Sequence, residues 1–220
     1  IKEKDKNIND DIFVEINKTI DTSAEQAIVI DFDTNEILFQ KNADQRIDPA
    51  SMTKFMTAYV TFDFIKNYLP GVNISEVMDT KCKVSDKSYK MGGSRMFLEL
   101  NDIVSVEDLI KGMIVQSGND ATIALSECLF GSEDFVVNLM NVELESGSGY
   151  VNRFKNPLKG TNFTNVTGWP DENHYSTVHD LAILSNALIK AFPSLYEYFK
   201  IKEFTYNDIK QPNRNKLLFS

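Results

Sequence analysis

The chain has 220 residues, 42% of them hydrophobic and 25% charged, which excludes wholesale disorder and allows one domain with a sizeable core. A net charge of −9 without a basic stripe excludes a binder of phosphate backbones, so no nucleic-acid partner is expected. No run of about 18 apolar residues occurs, so nothing in the sequence has the make-up of a spanning helix.

In chain order, Ile8, Ile12, Ile16 and Ile20 give residues 1 to about 24 a weak amphipathic pattern that predicts an N-terminal helix. Charges crowd the start without the apolar stretch of a signal peptide, so an exported form would have lost its targeting segment. Ala27-Ile28-Val29-Ile30-Asp31-Phe32 predicts a strand, Asp33-Thr34-Asn35-Glu36 a turn and Ile37-Leu38-Phe39 a returning strand. Pro49 then stands ahead of a predicted helix from Ser51 to about Tyr68, apolar on most sides and ended by Pro70-Gly71. A second helix is predicted from about Val106 to Gln116, with Ser105 and Asp108 resembling a capping box. A third follows Asn119 and a fourth runs from about Thr177 to Ala191, while the residues from Lys202 to Ile209 suggest a further strand region. Cys82 and Cys128 fit no zinc spacing and are too few for a disulfide framework, so both are expected as buried apolar thiols, a disulfide being the minor alternative.

Ser51 and Lys54, three residues apart, project from one face of a helix. A serine hydroxyl becomes a useful nucleophile when a nearby base takes its proton. Lysine can be that base when burial and neighbouring cations keep its amine neutral. Taken alone the spacing is weak, because a lysine on an apolar helix more often carries its amine out to solvent. Ser117-Gly118-Asn119, 63 residues after Lys54, falls between two helices. Such a turn can aim a hydroxyl and an amide into a cleft, although a plain capping turn is the commoner explanation of these residue types.

Together the two motifs resemble those of penicillin-binding proteins and serine β-lactamases. The flanks narrow the resemblance: Pro49-Ala50-Ser51-Met52-Thr53-Lys54-Phe55-Met56-Thr57-Ala58-Tyr59, Gly93-Ser94-Arg95-Met96-Phe97-Leu98 and Gln116-Ser117-Gly118-Asn119-Asp120-Ala121 look like D-alanyl-D-alanine carboxypeptidases of low molecular mass. Thr161-Asn162-Phe163-Thr164-Asn165, Thr167-Gly168 and the stretch from Gln211 to Leu218 with Asn213-Arg214-Asn215 extend it, so it covers about residues 24 to 220. The resemblance implies an α/β (α+β) fold, an antiparallel sheet covered by helices with a mainly helical subregion, of the penicillin-binding transpeptidase and β-lactamase kind. It implies a serine-type carboxypeptidase that releases the terminal D-alanine of peptidoglycan stem peptides and is acylated by β-lactams. Ser51 would be the nucleophile, Lys54 the base and Ser117 part of the proton relay. Asn119 would bind substrate, and Arg214 would help position the site for its terminal carboxylate. No metal or cofactor is expected, and the location implied is the periplasm or the outer face of the cytoplasmic membrane, with any membrane association made by segments outside these residues. His174 and His179, the two histidines, receive no role.

Two departures stand out. The family's third motif, Lys-Thr-Gly or Lys-Ser-Gly, is absent from the sequence, which suggests a single catalytic domain over 1–220 that stops short of it, missing C-terminal strands and having little activity by itself. Ser146-Gly147-Ser148-Gly149, leading into Tyr150 to Leu158, is expected as a longer polar surface loop. A class A β-lactamase is disfavoured, since no Glu from 127 to 197 has Asn four positions on; Glu203 does (Asn207), but it stands more than 80 residues beyond the second motif. A binding module that stays acylated and senses β-lactams is the other alternative.

Overall fold

The structure is a computed structural model and describes residues 20–68, 71–145 and 157–220. The expected N-terminal helix, apart from Ile20 to Ala24, falls outside these residues, as do Pro70 and the polar linker from Ser146 to residue 156.

The mixed helical and stranded architecture expected from sequence is present, with helices dominating. Strands β1 (Ala27–Ile30) and β2 (Ile37–Lys41) pair antiparallel, Ala27 opposite Lys41. A short second pair is β3 (Lys81–Lys83) with β4 (Ile103–Ser105), and a third is β5 (Glu203–Tyr206) with β6 (Ile209–Pro212). Among the described residues the strands thus form three separate antiparallel pairs.

Helix α1 (Thr53–Asp63) is the central element, and every one of its residues except Phe55 is buried. It packs against α4 (Val106–Val115), α5 (Asn119–Phe130), α6 (Glu133–Leu144) and α7 (Val178–Ala191). Tyr59 and Phe62 meet Phe192 edge-on, 5.4 and 6.1 Å between ring centroids, tying α1 to the end of α7. Removing a ring such as Phe62 from this interior would cost about 3–5 kcal/mol. Short helices α2 (Ile74–Asp79) and α3 (Asp86–Lys90), which periodicity does not delimit, flank β3. The fourth predicted helix starts at Val178, capped by Thr177, whose hydroxyl accepts from the Asp180 amide at 3.0 Å. Ser105 caps α4 likewise, through the Asp108 amide at 3.1 Å.

Two expectations are corrected. Ser51 does not begin an α-helix: Ala50–Met52 is a 3₁₀ turn, and α1 starts at Thr53. The cause is local, since Ala50 sits at φ 44°, outside the helical region. Cys82 and Cys128 are not separate thiols; they form a disulfide. Packing of β3 on α5 brings their Cα atoms to 5.5 Å, within disulfide reach, although 46 residues separate them in sequence.

Candidate active site

Lys54 lies in the first turn of α1, and burial on that helix denies its amine the route to solvent that an exposed lysine takes. Its Nζ makes three contacts. It donates to Asn119 Oδ1 at 2.7 Å and to the Thr167 carbonyl at 2.7 Å, and stands 3.3 Å from Ser51 Oγ. The pKa of Lys54 is lowered from an ordinary 10.5 to about 7, first by burial and then by the positive charge of Arg214, with the Asp120 carboxylate pulling the other way.

Each of these partners is itself held. Asn119 opens α5; its backbone amide donates to Ser94 O at 2.7 Å and its Nδ2 to Gly92 O at 2.9 Å. The next residue, Asp120, is completely buried and ties down the strip that faces α5. Its Oδ1 accepts from the amides of Met96 and Ala121, both at 2.9 Å. Its Oδ2 accepts from Phe97 at 3.0 Å and Leu98 at 3.1 Å. A carboxylate shared among four amides fixes the loop as one body.

The Thr167 carbonyl is set by a turn whose organiser is Asn165. Its Oδ1 accepts from the amides of Thr167, Gly168 and Trp169 at 3.1, 2.8 and 2.9 Å, and its Nδ2 donates to Trp169 O at 2.8 Å. Just before it, Val166 is clamped on both sides: its amide donates to Glu133 Oε1 at 3.1 Å, and Thr57 on α1 donates to its carbonyl at 2.7 Å. Glu133 is also paired with Lys87 at 2.7 Å. Gly168, at φ 81°, then runs against the turn that carries Ser51. A Cβ there would fall 1.7 Å from Ala50 O and 3.0 Å from Ser51 N, so only glycine fits.

His174 joins the same frame from behind. The Thr164 amide donates to its Nδ1 at 3.0 Å, so the ring hydrogen sits on Nε2 and is given to Thr53 Oγ1 at 2.8 Å. The ring therefore serves Thr53, not Ser51. Burial lowers its pKa below the usual 6.5.

Of the residues singled out in sequence, the structure brings Ser51, Lys54 and Asn119 into one hydrogen-bonded cluster. Ser117 precedes it at φ 59°, a left-handed conformation that costs a non-glycine residue about 1–2 kcal/mol. Its Oγ is buried and finds no hydrogen-bond partner among the described residues. Arg214 lines a cleft of about 520 Å³ together with Ser51, Lys54, Phe55, Tyr196 and Phe199, and its guanidinium donates to Ser94 Oγ. Asp120, Asn165, Glu133 and His174 are structural participants that sequence reasoning did not single out. Only Asp120 carries a usable signal, being adjacent to the second motif.

A family profile described as D-alanyl-D-alanine carboxypeptidase matches residues 13–220. D-alanyl-D-alanine carboxypeptidase DacC of Escherichia coli strain K12 is 40% identical over 193 residues, 88% of this chain and 46% of that protein. The chain thus spans about half the length of the curated relatives it matches. Penicillin binding protein 5 of Haemophilus influenzae superposes with a TM-score of 0.79 at 38% identity, over 91% of this chain and 55% of that one. Penicillin-Binding Protein D2 of Listeria monocytogenes, solved in an ampicillin-bound form, superposes with a TM-score of 0.72 at 25% identity, over 92% and 76% of the two chains. The fold, the two motifs and these likenesses agree, and the chain belongs to the D-alanyl-D-alanine carboxypeptidase family.

Proposed function

We propose that these residues form the nucleophile and base of a serine carboxypeptidase that removes the terminal D-alanine from peptidoglycan stem peptides. The observation that carries the reading is the Lys54 amine, buried, with a pKa near 7 and 3.3 Å from Ser51 Oγ. A neutral amine has two hydrogens and one lone pair. Asn119 and Thr167 take the two hydrogens, which leaves the lone pair for the serine proton.

In this mechanism Ser51 Oγ attacks the carbonyl carbon of the bond between the two D-alanines while its proton passes to Lys54 Nζ. The C–N bond breaks, and the departing D-alanine amine takes a proton delivered from Lys54 through the Ser117 hydroxyl. That hydroxyl is suited to a relay because no group among the described residues holds it. Water then attacks the ester on Ser51, giving its proton to Lys54, and the serine is regenerated with release of the shortened peptide. Asn119 binds the substrate's amide carbonyl through Nδ2, exchanging the Gly92 carbonyl for it. Arg214 supplies positive charge for the terminal carboxylate. A β-lactam enters the same path as a cyclic amide and remains on Ser51 as an acyl group.

Action on the cell wall places the protein in the periplasm or at the outer face of the cytoplasmic membrane, and the disulfide between Cys82 and Cys128 supports an oxidising compartment. The test is labelling of the full-length protein with a fluorescent penicillin. Ser51→Ala should abolish the label, and undiminished labelling of that variant would sink the assignment.

A further inference from the structure

Trp169 is the single tryptophan of the sequence and is 46% exposed, an unusual place for the largest apolar side chain. Its backbone is immobilised at both ends by Asn165, and it directly follows Gly168, which lies against the Ser51 turn. Its ring rests on Gly92 and Gly93. A Cβ on Gly92 would approach the ring to 3.2 Å, and one on Gly93 would stand 3.3 Å from the ring and 2.8 Å from Asn119 Nδ2. Two glycines in succession thus make room for an indole at the edge of the Asn119 amide.

The strip from Gly92 to Ser94 sets Trp169, Asn119 and Arg214 in order along one line beside Lys54. Trp169 sits on its first two residues, Asn119 is bonded to Gly92 and Ser94 in the middle, and Arg214 is bonded to Ser94 at the far end. An anionic terminus belongs at the Arg214 end. The rest of an extended substrate, which bears its apolar groups, then leads past Asn119 toward the indole.

We propose that Trp169 is a specificity-determining wall of the acyl-side subsite, stacking on the aliphatic stem of the residue that precedes the acylated alanine. The proposal rests on the acyl-transfer reading of Ser51. An aromatic face fixed in place gains contact with such a stem at little conformational cost, and substrates without one gain nothing from it.

The test compares acylation of the full-length protein by two penicillins with the same ring system, one bearing a phenylacetyl side chain and one with a free amine there. Trp169→Ala should slow the phenylacetyl compound about fivefold and leave the other within about twofold, while Trp169→Phe keeps most of the discrimination. Equal slowing of both, or of neither, overturns the subsite. A protein that takes up no penicillin overturns the acyl-transfer reading instead, and a second measurement then decides about Trp169. The tryptophan fluorescence of the full-length Ser51→Ala variant, less that of the same variant carrying Trp169→Phe, should respond to a tripeptide ending in D-Ala-D-Ala with a four-carbon side chain on its first residue. The same titration with N-acetyl-D-Ala-D-Ala should give a response at least about fivefold weaker at equal concentration. Indistinguishable responses overturn the proposal.

Discussion

Gly168 and Ala50 touch backbone to backbone: no side chain, however small, can stand between the turn that supplies the Thr167 carbonyl and the turn that carries Ser51. Gly168→Ala meets both a left-handed φ of 81° and a clash with a carbonyl, which no rotamer relieves. We expect it to lower stability by about 3 kcal/mol or more and to cut β-lactam acylation by roughly 10². Denaturant midpoints and labelling rates measured side by side would check this, and an unaffected rate would show that the two turns are not coupled.

With Lys54 as the proposed base, its free amine is the working form and acylation should rise with pH through about 7. The two charges acting on Lys54 predict opposite displacements. Arg214→Gln removes a cation, so the acid limb should move to higher pH, whereas Asp120→Asn removes an anion and should move it lower. Rates of acylation across a pH series decide, and a common direction for both variants would refute the electrostatic account.

The same lysine makes a stability prediction. Its folded pKa lies below its unfolded one, so between about 7 and 10.5 the unfolded chain holds more protons and stability climbs with pH. Lys54→Met should flatten that climb in urea titrations at pH 7, 8 and 9, roughly spanning the window. His174, also held below its ordinary 6.5, subtracts stability as pH falls beneath that value, and His174→Gln should lessen the acid loss.

Asp120→Asn replaces two accepting oxygens with one and turns an amide nitrogen toward backbone N–H groups. A loss of about 3 kcal/mol is expected, with acylation falling because the strip from Arg95 to Leu98 is no longer fixed. Thermal unfolding would reveal it.

Reduction of the Cys82–Cys128 bond releases a loop whose ends are 46 residues apart. Loop entropy puts the loss at about 4 kcal/mol, to be read as a lower urea midpoint after treatment with dithiothreitol. An unchanged midpoint would mean that β3 and α5 hold together without the bond.

Ser51, Lys54 and Asn119 were legible in the sequence because their chemistry resides in side chains at fixed spacing. The acceptor at Thr167 was not, since it is a backbone carbonyl and any residue has one; its placement depends on Asn165, Glu133 and Thr57, which meet only after folding. The disulfide was only the minor alternative for a related reason, as nothing near Cys82 in sequence points to Cys128. The hairpin from Ala27 and four of the five longer helices were readable from periodicity, but α6, twelve residues long, was not read. Short α2 and α3, with five or six residues each, are too brief to show a helical repeat. The 3₁₀ turn at Ser51 hides for another reason: it follows from the left-handed backbone at Ala50, a residue type whose side chain gives no sign of that conformation.

The contacts of the Lys54 amine span 3, 65 and 113 residues of chain. Such loops close late, because distant segments must first be brought together. A partly folded chain that still lacks its Thr167 turn keeps an ordinary protonated lysine beside an ordinary serine. On the proposed chemistry it is silent, and only molecules that have finished folding would be caught by a penicillin.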